Sequence, residues 1–180
     1  MIQSKEDLKY YLAEDAKNYN VRFFDRFIFN ENYYILNYLK NLRKLEYCTN
    51  CKGGVRSILR LWYFWNYKRL CNKLRIKIGI NTCGPGLFLP HIGLIRVGTY
   101  AKVGANCTIG PDVVIGTKDK YENIATIGDN VEICLGAKII GKLHIGNNAV
   151  IAPNSVVIKD VGEGEVVSGV PAVVIKKRIV

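Results

Sequence analysis

From Val97 onward an aliphatic residue returns at every sixth position. Val97, Val103, Ile109 and Ile115 are followed by Ile127, Ile133, Ile139, Ile145, Ile151 and Val157, and Tyr121 is the one step that breaks the series. Four residues after each aliphatic stands a second small or apolar residue, Ala101, Cys107, Val113, Val131, Ala137, Leu143, Ala149, Ser155 and Val161, with Asp119 the one exception. The residue just before is mostly polar, as at Arg96, Lys102, Thr108, Glu132, Lys138 and His144. The residue just after is often glycine, from Gly98 to Gly146, as expected if the chain turns there with positive φ. A six-residue period rotates away from any one face of an α-helix, and it is too short for a meander of hairpins. Short strands meeting at a corner every six residues, three to a coil, fit it, each coil stacking its aliphatics on the next. The pattern predicts a mainly β fold, a parallel β-helix over 76–180.

Before residue 76 the pattern is different. Ser4 with Asp7 reads as a helix start, and helical stretches are expected at 5–17, 31–47 and 55–74, with Gly53-Gly54 separating the last two. The expected organisation is a helical N-terminal region over 1–75 followed by the coil over 76–180.

Charge sharpens this division. The chain carries a net +11, and residues 1–75 hold 15 of its 26 Lys and Arg but only 7 of its 15 Asp and Glu. Arg56 to Arg75 intersperses cations with Leu59, Trp62, Phe64 and Trp65. Such a helix packs on the coil or another subunit, or lies on an anionic membrane surface; a peripheral membrane contact is left open. No apolar run approaches the roughly 20 residues of a membrane span. Met1 to Asp15 lacks the apolar core of an export signal, so the six cysteines read as reduced thiols of a cytoplasmic protein. Cys48-Thr49-Asn50-Cys51 is a lone pair without the second pair a structural zinc needs, and no metal is expected. No nucleic-acid motif accompanies the basic charge, so no nucleic-acid partner is expected.

Chemistry should sit where the rhythm breaks. Stepping back six residues from Val97 lands on His91, within Gly86-Leu87-Phe88-Leu89-Pro90-His91, and Leu89 and Ile95 show that the register slips by two. The second break is the polar stretch Thr117 to Thr126. The third is the end of the coil, Gly169-Val170-Pro171-Ala172, followed by Lys176, Lys177 and Arg178.

On these motifs the chain resembles the hexapeptide-repeat acyltransferases over about residues 78–178, and within them the serine acetyltransferase group with its short relatives from polysaccharide gene clusters. The resemblance implies a left-handed coil, a homotrimer, acetyl-CoA as co-substrate, and His91 as the general base that deprotonates an acceptor hydroxyl. It also implies that Gly116, Gly136, Ala137, Ala152, Ser155, Gly169 and Pro171 line the groove for acetyl-CoA, with Lys176 and Lys177 on its phosphates. Thr117 to Thr126 then corresponds to a loop that closes over a neighbouring subunit's site.

Three departures bear on the acceptor. Pro90 stands where serine-specific members place an acid, Ile76 where they place the acidic partner of the histidine, and the loop ends Glu122-Asn123-Ile124-Ala125 without their Arg-His pair. Glu14, Asp15 or a backbone carbonyl is the expected substitute for the partner. The expected function is therefore O-acetylation of a saccharide hydroxyl in surface-polysaccharide synthesis. The alternatives are serine O-acetylation for cysteine synthesis and a non-catalytic β-helix scaffold.

Overall fold

The computed structural model describes residues 1–51, 53–117, 120, 122 and 124–178. Lys118, Asp119, Tyr121 and Asn123 of the polar loop lie outside the described residues. The helical region comprises α1 (Lys5–Lys17), a 3-10 turn at Phe23–Arg26, α2 (Glu31–Asn50) and α3 (Gly54–Leu74). Ser4 and Asp7 form the expected capping box. Helix α2 runs three residues beyond the expected end, because nothing before Cys51 breaks it.

The coil follows from Ile76. Its first sheet holds β1 (Ile76–Ile78), β2 (Ile95–Val97), β5 (Val114–Gly116), β8 (Lys138–Ile140) and β11 (Val156–Val157). The second holds β3 (Lys102–Val103), β6 (Thr126–Ile127) and β9 (His144–Ile145). The third holds β4 (Thr108–Ile109), β7 (Glu132–Ile133), β10 (Val150–Ile151), β12 (Glu165–Gly169) and β13 (Ala172–Lys177). All pairings between strands are parallel except β12 with β13, where the chain folds back. Val97 pairs with Ile115 and Ile133 with Ile151, a coil of 18 residues, or three hexapeptides. Val103 pairs with Ile127 across 24 residues, so the polar loop is one hexapeptide inserted between two coils.

Every aliphatic of the six-residue series is buried, and so is every described residue of the column four places on. Each buried Val, Leu or Ile of these columns contributes about 1.5–3 kcal/mol. The glycine column behaves otherwise than expected. None of its members has positive φ; the left-handed corners fall two residues later, at Asn106, Asp112, Asn130, Gly136, Asn148 and Asn154. Asn and Asp tolerate that conformation. The glycines answer to close approach instead: a Cβ on Gly104 would stand 2.5 Å from the Gly128 carbonyl oxygen one coil on.

One apolar core continues from the helices into the coil, joining Leu39 and Leu42 to Ile76, Leu87 and Leu89. At that junction Arg43 of α2 is fully buried. Its guanidinium donates to Asp15 at 2.8 Å, to Glu46 at 3.1 Å, and to the carbonyls of Cys83 at 2.8 Å and Gly84 at 2.6 Å. The carboxylates also accept backbone N–H groups of the coil, Asp15 from Leu87 at 3.0 Å and Glu46 from Asn81 at 2.8 Å. Nearly all the lone pairs and protons of this charged cluster are thereby used, which is what makes its burial tolerable.

Candidate active site

The chain passes from the first sheet to the second, to the third, and back to the first. On the return edge of the first coil, Phe88 pairs with Thr108 and Val97 with Ile115. Leu89 thus stands over Ile109, yet Leu89 is eight residues from Val97 where Ile109 is six from Ile115. The two extra residues extrude the corner Pro90 to Leu94. His91 sits on it with its side chain 64% exposed, the structural form of the register slip.

His91 Nδ1 lies 2.9 Å from Oε1 of Glu31, and Oε2 of that carboxylate lies 3.3 Å from the amide nitrogen of Ile92. With Nδ1–H donated to Glu31, Nε2 keeps its lone pair toward solvent. The partner is neither of the acids expected from sequence. Glu14 pairs with Lys17 on the surface, and Asp15 is consumed by Arg43. Glu31 went unnoticed because it is 60 residues away and reads as an ordinary acid in the first turn of a helix, complementing the helix dipole. Asn30 caps that turn, its Oδ1 accepting from the Asn32 amide at 3.0 Å.

The return edge carries most of the groove residues that the resemblance implies. A Cβ on Gly93 would stand 2.8 Å from Pro111 Cβ, so the His91 corner rests on the next one. Gly136 N donates to the Pro111 carbonyl, Asn154 N to the Leu135 carbonyl, both at 2.9 Å, and Gly169 N to Ser155 Oγ at 3.3 Å. His91, Gly136, Ala137, Ala152, Ser155, Gly169 and Pro171 therefore follow one edge. From His91 to Gly169 it climbs four coil steps of about 4.8 Å, roughly 19 Å in all. Ala137 and Ser155 have fully buried side chains, so they offer a ligand only backbone. Lys138 was not among the expected site residues, yet its ammonium binds the carbonyls of Asp112 and Gly136 on this edge.

Three expected groove residues do not join it. Gly116 ends β5 on the edge between the first and second sheets, beside the base of the polar loop. Lys176 and Lys177 lie opposite Val166 and Glu165 on β13, four and five residues from Ala172, about 13–17 Å along the strand. The physical reason is the reversal at Gly169 to Ala172, which sends the tail back across the third sheet. Arg178 is held by Glu132 at 3.4 Å.

The thiols take no part. Burial pushes Cys83 up to about 12 and Cys107 up to about 11, so both stay protonated and weakly nucleophilic. Among the described residues no three His, Cys, Asp or Glu side chains cluster as metal ligands, and no helix is long and apolar enough to cross a membrane.

Comparison with known proteins bears on the fold. No protein-family model matches the chain. A serine acetyltransferase of Staphylococcus aureus is 35% identical over 96 residues, covering 52% of this chain and 45% of that protein. The chain thus spans about half the length of the curated relatives it matches. Serine acetyltransferase of Brucella abortus in complex with coenzyme A superposes with a TM-score of 0.75 at 24% identity, over 97% of this chain and 68% of that one. Soybean serine acetyltransferase complexed with serine does so with a TM-score of 0.75 at 23% identity, over 95% and 70%. The fold is a left-handed parallel β-helix preceded by an α-helical region, and over about half of its length the chain is similar in sequence to serine acetyltransferases.

Proposed function

We propose that this chain is an acetyl-CoA-dependent O-acetyltransferase with His91 as general base and serine as acceptor. The observation that carries the reading is the His91–Glu31 pair at the foot of the edge that holds the expected groove residues. Acetyl-CoA laid along that edge brings its thioester to His91. Nε2 takes the hydroxyl proton as the oxygen attacks the thioester carbonyl. The C–O bond forms, the tetrahedral intermediate expels the CoA thiolate, and the imidazolium returns the proton to sulfur. Glu31 holds the ring in place through Nδ1.

The names of the relatives and the serine-bound neighbour favour serine over the saccharide expected from the sequence. A saccharide hydroxyl stays the second reading because Pro90 and the Glu122-Asn123-Ile124 loop end lack the acid and the Arg-His pair that the resemblance places there. Thr117 and Ile124 sit on a different edge from His91, so a homotrimer in which each loop reaches a neighbour's return edge suits the site; sedimentation showing a fully active monomer would remove it. CoA release from acetyl-CoA, with serine and with a panel of saccharides, tests the acceptor. Saturable turnover of serine supports the main reading, and turnover of a saccharide alone moves the acceptor. Release with neither, by protein that still binds CoA, refutes the transferase.

A further inference from the structure

A second site lies across the outer face of the first sheet, under α3. One end is a cleft of about 390 Å³ lined by Lys68, Asn72 and Arg75 from α3 and its cap, Lys77 and Arg96 from the sheet, and Leu94. The other is a cleft of about 490 Å³ reaching Phe64, Ile80, Tyr100, Gly116 and Ile124. Tyr67, Lys68, Lys77 and Arg96 line both, so the two form one groove with an apolar end and a cationic end.

The cationic end is electrostatically unfinished. Lys77 and Arg96 are direct register partners on adjacent parallel strands, about 4.8 Å apart at the backbone, an arrangement that like charges disfavour. Arg75 enters the cleft from a left-handed backbone position, φ 61°, uncommon for a residue other than glycine. Among the described residues no acid lines either end, and the sequence has no Asp or Glu between Glu46 and Asp112. Among the described residues none of Lys68, Arg75, Lys77 and Arg96 forms an ion pair. Four cations converging without a counter-charge repel one another until an anion bridges them. A single charge would leave most of that repulsion in place, whereas a phosphate ester or diphosphate neutralises several at once. The apolar end beside it fits a hydrocarbon stem.

We propose that this groove binds a phosphorylated molecule with an apolar stem, its phosphate among Lys68, Arg75, Lys77 and Arg96. The site is separate from the His91 edge but close to it, since Leu94 is three residues from His91 and the chain between them spans at most about 11 Å. The binding does not depend on acyl transfer.

Calorimetric titration of the full chain with inorganic pyrophosphate and with geranyl diphosphate tests it. At low salt both are expected to bind one per chain, geranyl diphosphate about tenfold tighter, the worth of burying only some 60 Å² of hydrocarbon. Lys77→Ser with Arg96→Ser, both outward-facing, is expected to weaken both probes about tenfold or more, and salt is expected to weaken them in the wild type. CoA carries the same chemistry: displacement of the probe by CoA would assign the groove to the cofactor's phosphates, and simultaneous binding to a second phosphorylated ligand, each keeping the site. No titration by the wild type, equal affinity for the two probes, or a folded double variant that binds like wild type would each overturn the proposal.

Discussion

Glu31 reaches His91 from the first turn of the helix that Arg43 pins to the coil. The two α2 positions are 12 residues apart, about 18 Å of rigid helix, with Arg43 clamped to the Cys83 and Gly84 carbonyls at one end and Glu31 on the His91 ring at the other. Buried charge thus sets the position of the exposed pair. His91→Asn keeps the volume and a hydrogen bond but removes the base. We expect a loss of about 10²- to 10⁴-fold in kcat with an unchanged melting temperature, because the extruded corner carries none of the core. Near-normal kcat in His91→Asn would end the general-base assignment.

Glu31→Gln separates charge from shape. Glu31 acts through His91 and is a positioning residue, so kcat should fall by less than in His91→Asn while the KM for acetyl-CoA stays put. Unchanged kcat would reduce the pair to a surface contact.

The Arg43 cluster yields a stability prediction with a definite pH sign. Burial raises the Glu46 carboxyl above the usual range, even though Arg43 and the Asn81 amide pull it down. A carboxyl raised in the folded state costs stability above its folded pKa, and the cost disappears as pH falls through it. Arg43→Met removes the main opposing charge and raises it further. The variant should be about 3–5 kcal/mol less stable near neutral pH, the cost of stranding buried charge, and the gap should narrow on acidification. Urea denaturation at the two pH values checks this; a gap that is constant or widens with acid would refute it.

The coil was legible because its core repeats: a period of six with two buried columns has few physical solutions. The register slip at His91 was legible for the same reason, since two extra residues stand out against a fixed rhythm. Glu31 was not, because pairing between a helix start and a coil corner leaves no periodic trace. The glycine column was placed correctly and explained wrongly. Spacing shows where small residues recur, but telling a left-handed corner from a close approach takes the neighbouring coil, which here puts Gly128 against Gly104 and leaves the left-handed corners to Asn106 and Asn130. Gly116 was grouped with Gly136 by the resemblance, and only the three-sided path of the chain shows them on different edges.

The tail cations pose the remaining question about the donor. A ligand rising from His91 along the return edge runs out of coil at Gly169, where β12 turns into β13. Beyond that turn Arg178 is paired with Glu132, whereas Lys176 and Lys177 are exposed and, among the described residues, unpaired. If the phosphates of acetyl-CoA bend across the third sheet, these two lysines receive them, far from the reacting carbonyl. Contacts of that kind bind ground state and transition state alike, so their loss falls on KM. Lys176→Ala with Lys177→Ala should raise the KM for acetyl-CoA about tenfold, the worth of one charge-assisted hydrogen bond, with kcat at saturation nearly unchanged. Initial rates over a range of acetyl-CoA concentrations give both numbers. An unmoved KM would leave the lysines as solvated surface and confine the donor to the edge itself, where Lys138 is the nearest cation to examine.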